Sequence, residues 1–300
     1  MKVSFAILCY NYGRYLAEAI ESCLCQGAPR FETETLVIDD GSTDNTPEVC
    51  AQFGRRIRII RGANTGFGAS LAKGVLEAQG DYVCFLDADD YFDRKKLTAM
   101  ASRLLQRIPL VIGGNRFMNE NGDLLHGGIE AGGNTSTLCV RKDAAISLLP
   151  VENEISFYAL YAAGHGVRVP DAITYYRYHD NSMTNRNLAG RWNTYLAGVT
   201  HRLADRMEVM SPDKAFWISS VRHAKAIAGK FRAQAFYNEL EAALELARRS
   251  AAFKALWGML TNEFLAGRWL SILALKMILR TIMLRPTFPK RREDCGEIRD

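Results

Sequence analysis

Two apolar runs of the sequence end in clusters of carboxylates, and this pattern constrains the fold more than any other feature. Residues 35–38 lead into Asp39-Asp40-Gly41-Ser42-Thr43-Asp44, and residues 82–86 lead into Asp87-Ala88-Asp89-Asp90. Each run is short and rich in β-branched or aromatic residues, which is typical of a buried parallel strand. Because ligands bind beyond the carboxyl ends of strands in open α/β sheets, both clusters are expected at a ligand-binding edge.

The rest of the chain continues the alternation of strands and helices and then changes character. The sequence predicts further strands at residues 3–9 and 57–60 and helices up to Gly27, over 68–78 and over 94–104. Beyond Arg186 the strand signals fade, and helices are predicted over 213–230 and 236–249. We therefore expect an α/β domain at residues 1–185, with a mostly parallel sheet flanked by helices, and a helical C-terminal region at 186–300.

The charge is distributed unevenly between these two parts. Residues 1–189 carry 19 Lys and Arg against 22 Asp and Glu, and residues 190–300 carry 19 against 11, so the net charges are −3 and +8. A basic region of this kind binds nucleic acid, binds anionic lipid or is a solvated helical surface. Because no nucleic-acid-binding module and no interleaving of aromatic and basic residues accompanies the charge, nucleic acid is not an expected partner.

Cysteine usage and the N-terminus both favour a cytoplasmic location. The seven cysteines include no CxxC pair and no Cys/His quartet at zinc spacing, so they are expected to be buried or free thiols in a reducing compartment. The apolar run at residues 3–9 is too short for the core of a signal peptide. The chain is therefore expected to stay inside the cell.

The cluster Asp87, Asp89 and Asp90 is a candidate metal site. Mg²⁺ and Mn²⁺ prefer oxygen ligands, and a metal that also binds a diphosphate needs only one or two carboxylates from the protein. Crowded carboxylates repel one another unless a cation is present. The alternative is that Asp89 or Asp90 caps the helix predicted over 94–104.

The first acidic cluster is a candidate nucleoside site. Asp40 at a strand end can accept a hydrogen bond from the N3 hydrogen of uracil or thymine or from a ribose hydroxyl, and Tyr10, one strand away, offers a face for stacking a base. The alternative is a turn in which Thr43 or Asp44 caps the following helix.

Together, these segments resemble a known family. Residues 3–11, 37–44, the Asn64-x-Gly66 element and residues 80–90 are similar, in order and spacing, to the successive signatures of family 2 inverting glycosyltransferases with the GT-A fold. The resemblance covers about residues 1–180. It implies a nucleotide sugar donor linked to UDP, dTDP or GDP, a metal cofactor, and a hydroxyl acceptor on a cell-surface glycan or lipid-linked saccharide.

The resemblance also implies residue roles on the donor side. Tyr10 and Asp40 would hold the nucleoside, and Asp87 and Asp89 would form the family's DxD element at the ribose, the metal and the diphosphate. Asp90 is an adjacent metal candidate. The metal would neutralise the charge that develops on the departing nucleoside diphosphate.

The acceptor side departs from the family pattern. Glu152-Asn153 stands where the family has Glu-Asp, and Gly164, twelve residues later, supports this alignment. The family's Asp is the general base, and an asparagine side chain cannot serve as one. Glu152 is the favoured replacement and Glu154 the second. Otherwise the alignment is shifted by one residue, the two acids only begin a helix, or the protein is degenerate and binds its donor or partners without turnover.

A third segment, from Tyr175 to Thr184, resembles the family's Arg-x-His-x-x-Ser loop over the diphosphate. This resemblance implies that Arg177 contacts phosphate oxygens and that His179 is a metal ligand. A sugar nucleotidyltransferase would instead need a glycine-rich basic loop after the first strand, and Cys9–Gly13 does not supply one.

The C-terminal region contains a segment, residues 263–285, that is apolar but not long enough to span a bilayer. Its central charge-free stretch is only residues 269–275, whereas a span needs about 20 apolar residues. Arg268, Lys276 and Arg280 share one arc of a helix, and 290–292 is basic, so the helix would suit the inner face of an anionic membrane. The alternative is packing on the catalytic domain or on a second subunit of a homodimer.

Overall fold

The computed structural model of the protein describes residues 1–125, 127–179, 190–245 and 249–265. By its internal contacts the chain divides into two units, residues 1–179 with 215–217 and residues 180–214 with 218–300. The boundary predicted between residues 185 and 186 lies outside the described residues and stays a prediction.

The first half of unit 1 is a set of parallel strands joined by helices. Their order in the sheet is β3-β2-β1-β4. The elements are β1 (Lys2–Cys9), α1 (Gly13–Leu24), β2 (Glu32–Asp39), α2 (Thr46–Phe53), β3 (Arg58–Arg61), α3 (Phe67–Glu77) and β4 (Tyr82–Asp87). The predicted strands and helices of this half are thus present, with bounds that differ by a few residues.

The pairing of β1 brings both acidic clusters to one place. β1 lies between β2 and β4, with Cys9 opposite Asp39 and Leu8 opposite Asp87. The strand is buried along nearly its whole length because helices cover both faces of a parallel sheet. Its end is therefore flanked on one side by residues 39–44 and on the other by residues 87–90.

The second half of unit 1 turns the sheet into a mixed one. β8 pairs antiparallel with β4 and β6, β6 pairs parallel with β9, and β5 and β7 are short antiparallel additions. The elements are β5 (Tyr91–Phe92), α4 (Lys96–Leu105), β6 (Leu110–Met118), β7 (Glu130–Ala131), β8 (Leu138–Arg141), α5 (Lys142–Ser147), α6 (Tyr158–Ala162) and β9 (Gly166–Arg177). Two 3-10 turns, Thr135–Thr137 and Glu154–Phe157, precede β8 and α6.

The expectation that every cysteine is a free thiol is wrong for one pair. Cys84 on β4 and Cys139 on β8 form a disulfide. The antiparallel pairing places these residues directly opposite each other. No local pattern indicates the pair, because 55 residues separate the two cysteines along the chain.

Unit 2 is helical, as the sequence predicts, but its helix bounds differ. The helices are α7 (Arg191–Glu208), α8 (Val221–Glu245) and α9 (Arg249–Leu265). The predicted helices over 213–230 and 236–249 are wrong in their bounds, because α8 is continuous through residues 231–235 and begins only at Val221. The Ser220 hydroxyl accepts a hydrogen bond from the His223 N–H, which favours a helix start there.

Within the described residues, no helix is long and apolar enough to cross a membrane. The segment predicted to contact a membrane or a second subunit lies outside the described residues from position 266 onward, including Arg268, Lys276 and Arg280.

Candidate functional site

The end of β1 is tied to the first acidic loop by Asn11. Its backbone adopts φ of 59°, and its carboxamide oxygen accepts a hydrogen bond from the Thr43 N–H at 2.7 Å. The Asn11 N–H donates to the Ser42 hydroxyl at 2.9 Å. Tyr10 precedes this turn and is 45% exposed, so its ring is accessible at the strand end where a stacking residue is predicted.

Asp40 is buried beneath the loop that follows β3. One carboxylate oxygen accepts hydrogen bonds from the N–H and hydroxyl of Thr65, and the other accepts one from the Gly66 N–H at 2.8 Å. Burial alone would raise the pKa of Asp40, but these donors and the nearby Lys73 ammonium lower it below its ordinary value. Asp40 therefore shapes residues 64–66 besides standing at the predicted nucleoside site.

Asp44 connects the starts of two helices. Its carboxylate accepts hydrogen bonds from the N–H and hydroxyl of Thr46, at the start of α2, and from the Gly13 N–H, at the start of α1. Burial opposes ionisation, yet these hydrogen bonds lower the pKa of Asp44. Asp44 therefore makes the contacts expected from the alternative prediction, in which it supports the start of a helix.

Asp87 and Asp89 lie at the end of β4 in a different electrostatic setting. Burial raises the pKa of Asp87 well above its ordinary value, and the nearby carboxylates of Asp89 and Glu154 raise it further. Among the described residues, no lysine or arginine forms an ion pair with either carboxylate. A bound cation would relieve this repulsion.

Asp90 is 2% exposed and has both carboxylate oxygens engaged. One oxygen accepts a hydrogen bond from the Ser136 hydroxyl at 2.6 Å and the other from the Arg177 N–H at 2.9 Å. Burial, followed by Asp89 and Asp87, raises the pKa of Asp90 well above its ordinary value. These contacts hold the loop, and a metal role for Asp90 stays a prediction.

The proposed capping of α4 by Asp89 or Asp90 is wrong. The helix begins at Lys96, and Asp93 accepts a hydrogen bond from the Lys95 N–H at 2.8 Å. The carboxylates of residues 87–90 are thus placed at the edge of the sheet and not at a helix start.

Arg177, at the end of β9, lies against the same loop. Its guanidinium donates to the backbone oxygens of Asp89 and Glu120, both at 2.9 Å, and pairs with Glu18. The ring of Tyr15 lies 4.7 Å from the guanidinium carbon. Arg177 is therefore buried and positions the loop, and a direct contact with phosphate stays a prediction.

His179 contacts Asp89, the second carboxylate of the predicted DxD element. Its Nε2 atom lies 2.8 Å from Asp89 Oδ2, and its ring packs on Tyr12 and Tyr15, with centroids at 5.5 and 5.6 Å. Its Nδ1 atom is buried and has no hydrogen-bond partner among the described residues. The remainder of the predicted loop, including Ser182 and Thr184, lies outside the described residues.

The two candidate bases of the predicted acceptor-side segment, Glu152 and Glu154, differ in their exposure to solvent. Glu152 is exposed, Asn153 is 1% exposed, and Glu154 is partly buried. Asn153 caps the turn Glu154–Phe157 by accepting a hydrogen bond from the Ile155 N–H at 3.0 Å. Asn153 is thus a structural cap, and its Nδ2 atom is buried without a partner in the described part of the chain.

Glu154 is the acid of this segment that interacts with Asp87, one of the predicted metal ligands. Burial raises the pKa of Glu154 to about 7, and its charge contributes to the raised pKa of Asp87. Tyr158, one helical turn onward, has a buried hydroxyl with no partner within the described residues. Burial raises the pKa of Tyr158, and Glu154 raises it further.

Gly68, near the start of α3, allows the acceptor-side segment to approach the nucleotide-side strands. A Cβ atom added to Gly68 would lie 2.5 Å from the Val151 carbonyl oxygen and 2.8 Å from Glu152 Cα. Only a residue without a side chain permits this contact. The position of Asn153 and Glu154 therefore depends on α3.

The donor set of the site suits a divalent cation shared with a ligand. Asp87 and Asp89 are two hard oxygen donors in a region of accumulated negative charge, and a Mg²⁺ or Mn²⁺ ion bound with a diphosphate takes one or two carboxylates. Among the described residues, no group of three or more acidic, His or Cys side chains is arranged to hold a metal by itself. The residues therefore fit a metal that reaches the site together with a nucleoside diphosphate.

Five further residues line the site without a clear signal in the sequence. They are Tyr12, Tyr15, Lys96, Ser136 and Tyr158. Tyr12 and Tyr15 follow Tyr10 in a tyrosine-rich stretch at the end of β1 and the start of α1, which is a weak signal for a binding edge. The roles of Ser136 and Lys96 are revealed only by the pairing of distant strands. Lys96 is 1% exposed and donates to the Thr174 hydroxyl at 2.7 Å, and burial lowers its pKa to about 7.

Tyr10 and the two carboxylate loops lie beyond the carboxyl ends of parallel strands, which is where ligands bind in open α/β sheets. Residues 4–161 match Glycosyl transferase family 2. This match covers more than half of the chain, and the chain belongs to glycosyltransferase family 2.

Relatives and solved structures agree with this assignment. An uncharacterized glycosyltransferase of Nostoc is 43% identical over 101 residues, which are 32% of this chain and 31% of that protein. Glycosyltransferase GlyG of Streptococcus pneumoniae is 32% identical over 126 residues, 40% of this chain and 41% of that protein. These matches span less than half the length of either relative.

The fold is confirmed by comparison with solved structures. S. aureus TarS 1–349 superimposes with a TM-score of 0.62 at 16% identity, covering 100% of this chain and 93% of that one. The mannosyltransferase PcManGT from Pyrobaculum calidifontis, in complex with GDP-Man and Mn²⁺, gives 0.55 at 16% identity, covering 94% and 84%. The predicted GT-A fold with C-terminal helices is correct.

Proposed function

We propose that the protein transfers a sugar from a nucleoside diphosphate donor to a hydroxyl acceptor, with inversion and with Mn²⁺ or Mg²⁺. The observation that supports this most is the group Asp87, Asp89 and Glu154. Its first two carboxylates form no ion pair with a lysine or arginine of the described residues, and the pKa of the third is raised to about 7. The family membership supports the same reaction. A metal, when bound, would supply the positive charge that a diphosphate leaving group needs.

In this proposal each part of the site has one task. Tyr10 stacks on the base, Asp40 binds the nucleoside, and Asp87 and Asp89 hold the metal and the diphosphate. Glu154 accepts the proton of the acceptor hydroxyl while the oxygen of that hydroxyl forms the new bond to the anomeric carbon. The bond from that carbon to the diphosphate breaks on the opposite face, and the nucleoside diphosphate leaves.

Glu154 replaces Glu152 as the preferred base because of its surroundings. A general base works best when its pKa is near the working pH, and Glu154 meets this condition, whereas Glu152 is exposed. The hypothesis of a binding protein without turnover depends on Asn153. Because Glu154 supplies a carboxylate that interacts with Asp87, the acceptor hydroxyl can still be deprotonated although residue 153 is an asparagine.

A thermal-shift screen tests the donor side of this proposal. Uridine, thymidine and guanosine diphosphates would each be added with and without Mn²⁺ to the full chain. A ligand that binds only the native state raises the unfolding temperature in proportion to the logarithm of its excess over Kd. We expect one diphosphate to stabilise the protein only with the metal. Stabilisation that is equal without metal would reject the metal dependence.

The acceptor is proposed to be a glycan or a lipid-linked saccharide at the inner face of the cytoplasmic membrane. The support is the net charge of +8 on residues 190–300, the difference between 19 basic and 11 acidic residues. The full chain should sediment with phosphatidylglycerol vesicles and not with phosphatidylcholine vesicles. Binding to neither, together with a dimer in light scattering, would favour the second subunit as the partner of this region.

A further inference from the structure

The Ser136 hydroxyl lies at the junction between the two parts of the metal-site loop. It accepts a hydrogen bond from the Asp87 N–H at 3.0 Å and donates one to Asp90 Oδ2 at 2.6 Å. Ser136 belongs to the 3-10 turn before β8 and is 0% exposed. One hydroxyl therefore joins both ends of residues 87–90.

The directions of these two hydrogen bonds are fixed. The Asp87 N–H can only donate, so the Ser136 oxygen has to accept there, and its own single proton is left for Asp90. Asp90 is in turn held on its other oxygen by the Arg177 N–H. An alanine at position 136 could make neither of these contacts.

The backbone of Ser136 is held by a buried network of polar side chains. Its carbonyl oxygen accepts hydrogen bonds from the Thr174 hydroxyl at 2.7 Å and from Lys96 Nζ at 3.3 Å. Lys96 also donates to Thr174 and lies 4.6 Å from the centre of the Phe92 ring. The serine is thus anchored to α4 and β9 at the same time.

Such an anchor matters because the loop carries like charges. The like charges of Asp87 and Asp89 lie two residues apart in this loop, and such charges repel each other in the absence of a cation. We propose that Ser136 is a positioning residue that holds the Asp87–Asp90 loop in the arrangement that receives the metal and the diphosphate. This inference rests on the proposed function, because it assigns a residue to the same metal and donor site.

Calorimetry with a matched control tests the inference. Ser136→Ala removes both hydrogen bonds, whereas Thr137→Val removes an equally buried hydroxyl in the same turn that donates to the Asn134 carbonyl and not to the loop. The probe is Mn²⁺ with the nucleoside diphosphate that the parent binds, and the matching nucleoside without metal is the second probe. Unfolding temperatures of the unliganded variants are measured alongside.

We expect Ser136→Ala to weaken metal-dependent diphosphate binding about tenfold or more and to leave nucleoside binding unchanged, since the loss of a hydrogen bond to a charged group has this scale. Thr137→Val should leave both unchanged. Equal binding by both variants would overturn the inference. So would parallel losses for both probes, because these indicate general destabilisation.

A second variant covers the case in which Ser136→Ala does not fold. Ser136→Cys keeps nearly the same volume but offers a weaker donor and acceptor, so an intermediate loss of metal-dependent binding is expected. Full binding by Ser136→Cys would contradict the inference. If the parent protein itself binds diphosphate without metal dependence, the proposed function fails. If the parent binds diphosphate only with the metal and the Ser136 variant does the same with equal affinity, the inference alone fails.

Discussion

The carboxylates on the two sides of β1 have opposite environments. Asp40 and Asp44, which follow β2, accept hydrogen bonds from several backbone N–H groups, and their pKa values are lowered. Asp87 and Glu154, on the other side, are partly buried with few donors, and their pKa values are raised. The same residue types are therefore stabilised in their ionised form by hydrogen bonds on one side and lack this stabilisation on the other. Charge that the fold leaves uncompensated is available for a metal or a proton.

The strongest way to break this comparison is to remove a carboxylate from the uncompensated side. Asp89→Ala should abolish the metal-dependent stabilisation by nucleoside diphosphate while the unliganded protein remains folded, because the metal loses one of two protein oxygen ligands. Thermal shift with and without Mn²⁺ measures this. Stabilisation equal to that of the parent would mean that the metal binds elsewhere.

The second test compares the two candidate bases. Glu154→Gln should lower turnover about 10²-fold or more with diphosphate binding intact, which is the scale of a positioned general base. Glu152→Gln is the matched control and should change turnover little, since its side chain is exposed. If the control is the damaging change, the preference for Glu152 drawn from the sequence is right and the assignment to Glu154 is wrong.

The pH dependence of turnover sharpens the same point. Glu154 must be ionised to accept a proton, and its pKa is raised to about 7. At saturating donor and metal, the rate should fall about tenfold for each pH unit below about 7. The residual rate of Glu154→Gln should lack this limb. A parent rate that is constant down to about pH 5 would exclude a base with this pKa.

Stability should respond in opposite directions on the two sides. Asp44 has a lowered pKa, so its contribution is present above its unfolded pKa and disappears as the pH falls through the folded one, and Asp44→Ala should cost about 1–3 kcal/mol at pH 7. Asp87 has a raised pKa, so its ionised form destabilises the unliganded fold at neutral pH. Asp87→Asn should therefore raise the unfolding temperature. Urea and thermal unfolding without ligand provide the measurement, and destabilisation by both variants would contradict the comparison.

The smallest expected effect concerns the exposed ring at the end of β1. Tyr10→Ala should weaken nucleoside diphosphate binding by about 1–2 kcal/mol through lost stacking. Tyr10→Phe retains the ring and should bind as the parent does. Calorimetry on the diphosphate chosen by the screen distinguishes these cases, and an unchanged affinity for Tyr10→Ala would place the base elsewhere.

The parallel half of the fold could be predicted because its information is local. An apolar run that stops at a carboxylate defines both the strand and the site residue that follows it, as for Asp40 and Asp87. The alternation of strands and helices then fixes their parallel direction. The positions of these residues at one edge of the sheet follow without knowledge of any distant contact.

The remaining features depend on pairings that the sequence does not display. The contact between Ser136 and Asp90 and the disulfide of Cys84 with Cys139 both require β8 to lie beside β4. The difference between Glu152 and Glu154 follows from the cap at Asn153, which turns one acid outward and the other inward. In unit 2, the helix predicted from residue 213 begins only at Val221, after Ser220, whose hydroxyl accepts a hydrogen bond from the His223 N–H.

Gly68 restricts how the segment at residues 150–157 could be replaced by redesign. The backbone of residues 151–152 rests directly on this glycine, so an acceptor segment taken from another enzyme would fit only if its main chain reproduced the same close approach. Asp40, at the proposed nucleoside site, accepts hydrogen bonds from the N–H groups of Thr65 and Gly66, directly before this helix, so an exchange there also has to preserve the start of the helix. Recombination experiments should therefore keep residues 67–71 and 150–157 together as a single inherited block.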